Sequence, residues 1–555
     1  MDLEEDKNPP STEEPDVDYD GEDERDPQAG SPTKKKKKKK KQTSTDNDLG
    51  HDTDSTNPAS DASDDDDDDD DDNLQTAATA PTTAPSPTQA QLTPAERFRQ
   101  RQDRLRLYYS HGSSHGAPTC YVAHKIATQL RFGNVADLLW LCMVGVTDAW
   151  LQSRLDIVGY AEMADSLREK CLKLFPLHQD LYERAQTTVY AEELLVGAGG
   201  SQQQQTKLTF SEQGRILPQT DHRFFLLRSS SLLDAMQCSN YVSTQMQLWT
   251  KPGMQRLHEL LARMGYPLED CHQPFNFMKP SLRRRLVGQL AEYGEEFGLE
   301  ELEFTSFVRV TGFSTLTSAS DTCYAASALL ECPTISSSTE VDPSGDWDLQ
   351  CFHAAYDSLG AGNHNQNGKT IMTTGLQWAM KLQRLILATA VGLVSRNAIT
   401  RLRHFRYAYV TASSSGNSSS ALAYSQSNNN SNNNAPYHVL AKPLALTRLA
   451  YYLMDMHRAN GKWVGTDSSG RSKALPLILL AEQPATQTFL VLGQQMSEKQ
   501  GHLTKNKFGQ YFELVAQTMK EAVARLESFD SHVVEVDAEH VERFLEQLHY
   551  FMDSV

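Results

Sequence analysis

Apolar positions along this 555-residue chain begin to recur with a regular period only after Thr93. Thr93-Pro94-Ala95-Glu96 spells a helix start: threonine at the N-cap, proline at the first helical position, and a glutamate placed to reach back to the cap. The helix it opens carries Arg97, Arg99, Arg101, Arg104 and Arg106 and reads as a solvated amphipathic helix. After a Gly/His-rich loop at 108–118, a second helix is predicted over 119–130. Residues 137–154 are apolar nearly all round, which predicts a helix buried on most faces.

Residues 196–206 read as a flexible break, followed by a second helical region. Leu257, Leu260, Leu261 and Met264 form an i, i+3, i+4, i+7 stripe, with Gly265 placed as a left-handed stop. Leu282, Leu286, Val287, Leu290 and Tyr293 repeat the pattern on another helix, and 302–313 alternates as a strand does. Residues 360–369 and 411–435 read as Gly/Asn-rich and Ser/Asn-rich loops. A long helix is expected over 370–395, with strands at 405–410, 475–481, 489–492 and 533–536. A helix with Phe508, Phe512, Val515, Met519, Val523 and Leu526 on one side is expected before the last strand, and a final helix with Val541, Phe544, Leu545 and Leu548 after it. Helices interleaved with short β-branched strands predict an α/β fold for this region.

Composition changes the picture at the N-terminus. Residues 1–93 hold 27 acids and 10 bases, so nearly all of the net charge of −19 belongs to them and the rest of the chain is close to neutral. Their apolar side chains are too sparse to offset chain entropy, which predicts a disordered charged tail. Within it, the run of Lys34, Lys35, Lys36, Lys37, Lys38, Lys39, Lys40 and Lys41 is a candidate nuclear-import signal, and nine aspartates fill 64–72. The eight cysteines form no CxxC pair and read as scattered thiols of a reducing compartment. The longest strongly apolar run, 138–146, is far shorter than the ~20 residues of a membrane span, so no membrane association is expected.

Candidate chemistry is thin. Asn367-Gly368-Lys369-Thr370 ends like a phosphate-binding loop, but the glycine the spacing needs is Asn363 and no strand is predicted before it. His111 and His115 sit among glycines on a loop, not on one helical face. We therefore expect no catalytic residue, no metal and no cofactor. Two basic groups remain as candidate nucleic-acid or partner contacts: Arg283, Arg284 and Arg285 on a helix, and Arg396, Arg401, Arg403 and Arg406 around the 405–410 strand. Aromatics beside arginines stack bases and neutralise phosphates. Alternation within a half-buried strand instead favours Phe405, Tyr407 and Tyr409 facing the core, with the arginines in solvent.

Four segments resemble the cell division control protein 45 family, in the family's order: DLLWLCMVGVTDAW (137–150, preceded by YYSHGSSHGAP), LWTKPGMQRLHELLARMGYPL (248–268), FGLEELEFTSFVRVTGF (297–313) and KNKFGQYFELVA (505–516). The resemblance implies a DHH phosphoesterase-like fold without a nuclease site, carrying a helical interaction domain and a DHH-associated C-terminal α/β domain. It divides this chain into a charged tail (1–93), the helical end of the DHH-like domain (94–180), a mainly helical interaction domain (181–360) and the C-terminal domain (361–555). It further implies that most of the family's N-terminal α/β half precedes Met1, so that 94–180 alone would be unstable.

The function implied is a non-catalytic, nuclear scaffold of the eukaryotic replicative helicase, acting in replication initiation and fork progression. Its partners would be the minichromosome-maintenance hexamer, the GINS tetramer, DNA polymerases and origin-firing factors, with weak binding to single-stranded DNA. The alternative is an active DHH-family phosphoesterase or exonuclease whose metal-binding half is missing from this chain.

Overall fold

The computed structural model describes residues 93–133, 135–175, 214–311, 315–331, 347–360, 366–411, 438–460, 464–466, 472–483, 486–497, 502–521, 523–526 and 529–554. The lysine run, the aspartate run, the break at 196–206 and residues 361–365 and 412–435 of the two low-complexity loops lie outside these residues. Four helices come first: α1 (Pro94–Ser110), α2 (Thr119–Gln129), α3 (Ala136–Leu151) and α4 (Ile157–Leu174). The strand β1 (Ile216–His222) is followed by α5 (Leu232–Cys238), α6 (Asn240–Met246), α7 (Lys251–Arg263), α8 (Leu268–His272) and α9 (Pro280–Tyr293). Next come β2 (Glu303–Thr311), β3 (Thr315–Ser318), α10 (Ala319–Glu331), α11 (Trp347–Leu359) and α12 (Gln366–Ser395). The remainder is β4 (Thr400–Arg401), β5 (Arg406–Val410), α13 (Pro443–Ala459), β6 (Val464–Thr466), β7 (Ser472–Ala474), β8 (Leu477–Gln483), β9 (Thr488–Gln494), α14 (Phe508–Thr518), β10 (Val523–Leu526), β11 (Val533–Asp537) and α15 (Val541–Ser554).

The predicted helix start is present in full. Thr93 accepts from the Glu96 N–H, and the Glu96 carboxylate accepts from the Thr93 N–H at 2.8 Å. No residue of α1 is buried, as its run of arginines implies. α3 buries Leu139, Trp140, Cys142, Met143, Val144, Val146 and Thr147, so its apolar circumference is matched by neighbours on several sides. These are α2, α4, α10 and β2, and the same cluster takes in Phe304, Phe307, Ala319 and Cys323 from far along the chain. α7 presents the expected stripe to a second cluster, and Gly265 takes φ +75°.

Three sheets occur among the described residues. β1, β2 and β3 form an antiparallel sheet in that order, and β6 pairs with β7. The larger sheet runs β10-β11-β9-β8-β5-β4, with only β5 and β8 parallel. α12 and α13 cover one face of it; α14 and α15 cover the other. Residues 90–555 form one compact unit. The fold therefore mixes helix and sheet.

Three expectations need correction. The helix expected from 508 to 526 ends at Thr518; Val523–Leu526 is instead the edge strand β10, paired antiparallel with β11. Val523 and Leu526 continue the helical spacing by coincidence, and cross-strand pairing outweighs that local pattern. The helix expected from 370 starts at Gln366, which places Asn367-Gly368-Lys369-Thr370 inside helical turns and removes any likeness to a phosphate loop. Finally, α13 was not anticipated, although it is central: Ala445, Leu446, Leu449, Ala450, Leu453 and Met456 are all fully buried.

Candidate functional site

The two basic groups fall on separate elements. On α9, Leu286 and Leu290 face the core, which leaves Arg284 and Arg285 exposed and Arg283 half-buried. Among the described residues, Arg283 Nε and Nη1 have no hydrogen-bond partner. Three residues before α9, Phe277 is 77% exposed, and Lys279 pairs with Asp270 at 3.1 Å.

The second group surrounds the edge of the larger sheet. Phe405 is fully buried, and Tyr407 and Tyr409 pack against the same cluster, so the core-facing reading of these aromatics holds. Arg396, Arg401 and Arg403 are exposed and Arg406 is half-buried. Arg396 Nε donates to the Gly392 oxygen at 3.1 Å, and Arg403 pairs with Asp553 at 3.1 Å. His404 Nε2 also meets Asp553, at 2.9 Å. Arg401 and Arg406 are register partners across β4 and β5. Burial and the neighbouring Arg401 charge both hold the Arg406 guanidinium below its ordinary value. Like charges placed directly opposite repel.

A polar cleft of about 160 Å³ lies where the α1–α2 loop, the end of α3, α13 and the loops around β9 and before β11 converge. Arg154 pairs with Asp530 at 3.1 Å and lies over the exposed ring of Phe529 at 5.0 Å. Arg458 pairs with Asp455 at 2.5 Å and donates to the Ser497 oxygen at 2.8 Å. Asn240 Nδ2 reaches Asp455 at 2.7 Å. Burial pushes the His532 imidazole down to about 4 and that of His115 below its ordinary value. Two arginines therefore face two aspartates with His115 and His532 neutral at pH 7. An entering phosphate would have to displace an aspartate from its arginine, so the cleft is poorly suited to polyanions and well suited to tying five segments together. Nothing in the local sequence marks it, because its residues come from distant parts of the chain. Among the described residues no group of three or more His, Cys, Asp or Glu is arranged to hold a metal ion, and no helix is long and apolar enough to cross a membrane. His111 caps the end of α1, its Nδ1 2.7 Å from the Leu107 oxygen.

Two exposed apolar faces were not anticipated. α11 exposes Leu349, Phe352 and Tyr356, and α2 with its C-cap exposes Val122, Ile126 and Leu130. Both stripes have helical spacing and are readable in the sequence; the pattern alone does not tell a core-facing stripe from one left open. Apolar patches of this kind mark contact surfaces.

Comparison with known proteins places these features in a family. The CDC45 family model matches residues 1–551. The cell division control protein 45 homolog of Dictyostelium discoideum is 26% identical over 440 residues, which is 79% of this chain and 62% of that protein. The Schizosaccharomyces pombe homolog is 26% identical over 471 residues, 80% of this chain and 66% of that protein. The human homolog is 24% identical over 440 residues, with 79% and 66% covered. This chain thus spans just under two thirds of the length of these curated relatives. In fold it is similar to the crystal structure of CDC45 from Entamoeba histolytica, with a TM-score of 0.54 and 18% identity over 80% of this chain and 73% of that one. The chain belongs to the CDC45 family.

Proposed function

We propose that this chain is a non-catalytic scaffold of the eukaryotic replicative DNA helicase, acting in the nucleus in replication initiation and fork progression. Its partners in this reading are the minichromosome-maintenance hexamer and the GINS tetramer, with DNA polymerases and origin-firing factors joining them. The observation that carries it is the family match over residues 1–551. The division into a DHH-like end (94–180), an interaction domain (181–360) and a DHH-associated C-terminal domain (361–555) is part of the same proposal.

The surfaces support a binding role. The apolar faces of α2 and α11 and the basic face of α9 suit protein partners, while Arg401 and Arg406 suit the phosphates of single-stranded DNA. Phosphate contacts release counterions, so that binding should weaken steeply between about 50 and 200 mM salt. The lysine run at 34–41 is proposed as the import signal.

The experiment that separates this reading from a phosphoesterase is an incubation of purified chain with labelled single-stranded oligonucleotides, Mg²⁺ or Mn²⁺, and ATP. The scaffold leaves both substrates intact. Trimming or hydrolysis that a point substitution in this chain abolishes would overturn the proposal.

A further inference from the structure

Among the seven described cysteines, one pair stands apart. Cys120 is the second residue of α2 and half-buried, and Cys142 is buried on the facing side of α3. The Cys120 thiol donates to the Cys142 backbone oxygen at 3.7 Å, so the two residues meet where α2 packs on α3. Gly145, one turn further along α3, permits this approach: a Cβ there would sit 2.5 Å from Cys120 Sγ and 2.9 Å from Cys120 Cβ. No side chain separates the two helices at this point.

The two sulfurs are also in unequal environments. The neighbouring Cys142 side chain and the backbone N–H groups of Tyr121 and Cys120 hold the Cys120 thiol below its ordinary value, as befits a sulfur at a helix start. The neighbouring Cys120 side chain and burial push the Cys142 thiol well above its ordinary value. One thiol is poised to react first and to be reached from solvent; the other waits beside it. Cys323, on the other flank of α3, donates to the Val144 oxygen at 3.1 Å and is wholly enclosed.

We propose that Cys120 and Cys142 are a redox pair that closes to a reversible disulfide under a peroxide oxidant and pins α2 to α3. The Cys120 thiolate attacks one peroxide oxygen; the S–O bond forms, the O–O bond breaks, and the leaving hydroxide takes up a proton as water. The Cys142 sulfur then attacks the Cys120 sulfur. An S–S bond forms, the S–O bond breaks, and the Cys142 proton leaves with the hydroxyl as a second water. Two thiols are oxidised and one peroxide is reduced. The brace fixes the base of the exposed Val122–Ile126–Leu130 face, which couples the oxidation state to whatever that face contacts.

The test uses the full chain, reduced, desalted, treated with hydrogen peroxide, alkylated and digested with trypsin. The alkylable cysteines should fall by two from the eight in the sequence. Peptides 107–125 and 132–154 should appear as one linked species that dithiothreitol separates. In Cys142→Ser, Cys120 should instead stop at a sulfenic acid that dimedone traps, with no linked species. Peptide 107–125 remaining fully alkylable in the wild type, or linked to any peptide other than 132–154, overturns the proposal.

Discussion

The Glu331 carboxylate, at the end of α10, accepts the backbone N–H of Ala445 at 2.8 Å in the first turn of α13. Its other oxygen accepts the Leu444 N–H at 2.5 Å. α13 has no cap of its own, since Lys442 stands at the N-cap without a side-chain hydrogen bond. A carboxylate borrowed from more than a hundred residues earlier supplies that cap and fastens α10 to the central helix. Helix N-termini leave N–H groups that need such an acceptor.

The attachment carries a pH signature. Burial, opposed by the two backbone bonds, pushes the Glu331 carboxyl from its ordinary 4.5 up to about 7. Because the folded value lies above the unfolded one, its contribution to stability is full below about pH 4.5. That contribution is lost as pH rises through 7 and amounts to about 3 kcal/mol. Glu331→Gln keeps one acceptor oxygen and removes the titration. Melting temperatures at pH 5 and pH 8 should show the variant gaining on the wild type at the higher pH. A difference that does not change with pH contradicts this.

Gly145 is fixed by its neighbour. With Cys120 atoms 2.5 and 2.9 Å from where a Cβ would stand, Gly145→Ala forces α2 away from α3. Overpacking of this kind costs about 1–3 kcal/mol. Adding Cys120→Ala removes the nearer atom and should restore part of the loss, a coupling that a double-mutant cycle reads directly. Additive effects would mean that the two residues do not meet.

Asp321 organises a buried charge group. Its Oδ1 accepts the N–H of Leu226, a residue held at φ +62°, and Oδ2 lies 3.4 Å from Arg228, which also meets Asp221 at 3.5 Å. Burial pushes the Asp321 carboxyl up, against the pull of Arg228. Arg228 keeps Asp221 when Asp321 is removed, but the Leu226 N–H loses its acceptor, so Asp321→Ala should cost about 1–3 kcal/mol in denaturant unfolding. Asp321→Asn should cost less, since it keeps an oxygen for Leu226. Equal losses would argue against the hydrogen bond as an organising contact.

What the residues revealed in advance depended on locality. The α1 start was legible because a capping box spans only four residues, and α7 was legible because one face alone is apolar. α13 was hidden for the opposite reason: Leu446, Leu449, Tyr452, Leu453, Met454 and Met456 are buried on several sides, so no stripe stands out. Val523 and Leu526 looked helical because only β11, some ten residues later, makes them a strand. Arg396, Arg401 and Arg403 lie in solvent as the strand's alternation implies, whereas Arg406 is half-buried. The cleft was not legible, since Arg154, Asp455 and Asp530 meet only through tertiary contacts. Glu331 gave no sign of capping a helix that begins at Pro443.

The proposed scaffold role requires this chain to hold its partners together. Tagged chain mixed with purified minichromosome-maintenance hexamer and GINS tetramer, then captured and washed at physiological salt, tests it most directly. Both should be retained in one complex, and Arg285→Ala should weaken retention while leaving the melting temperature unchanged. Recovery of neither assembly by a folded chain would contradict it.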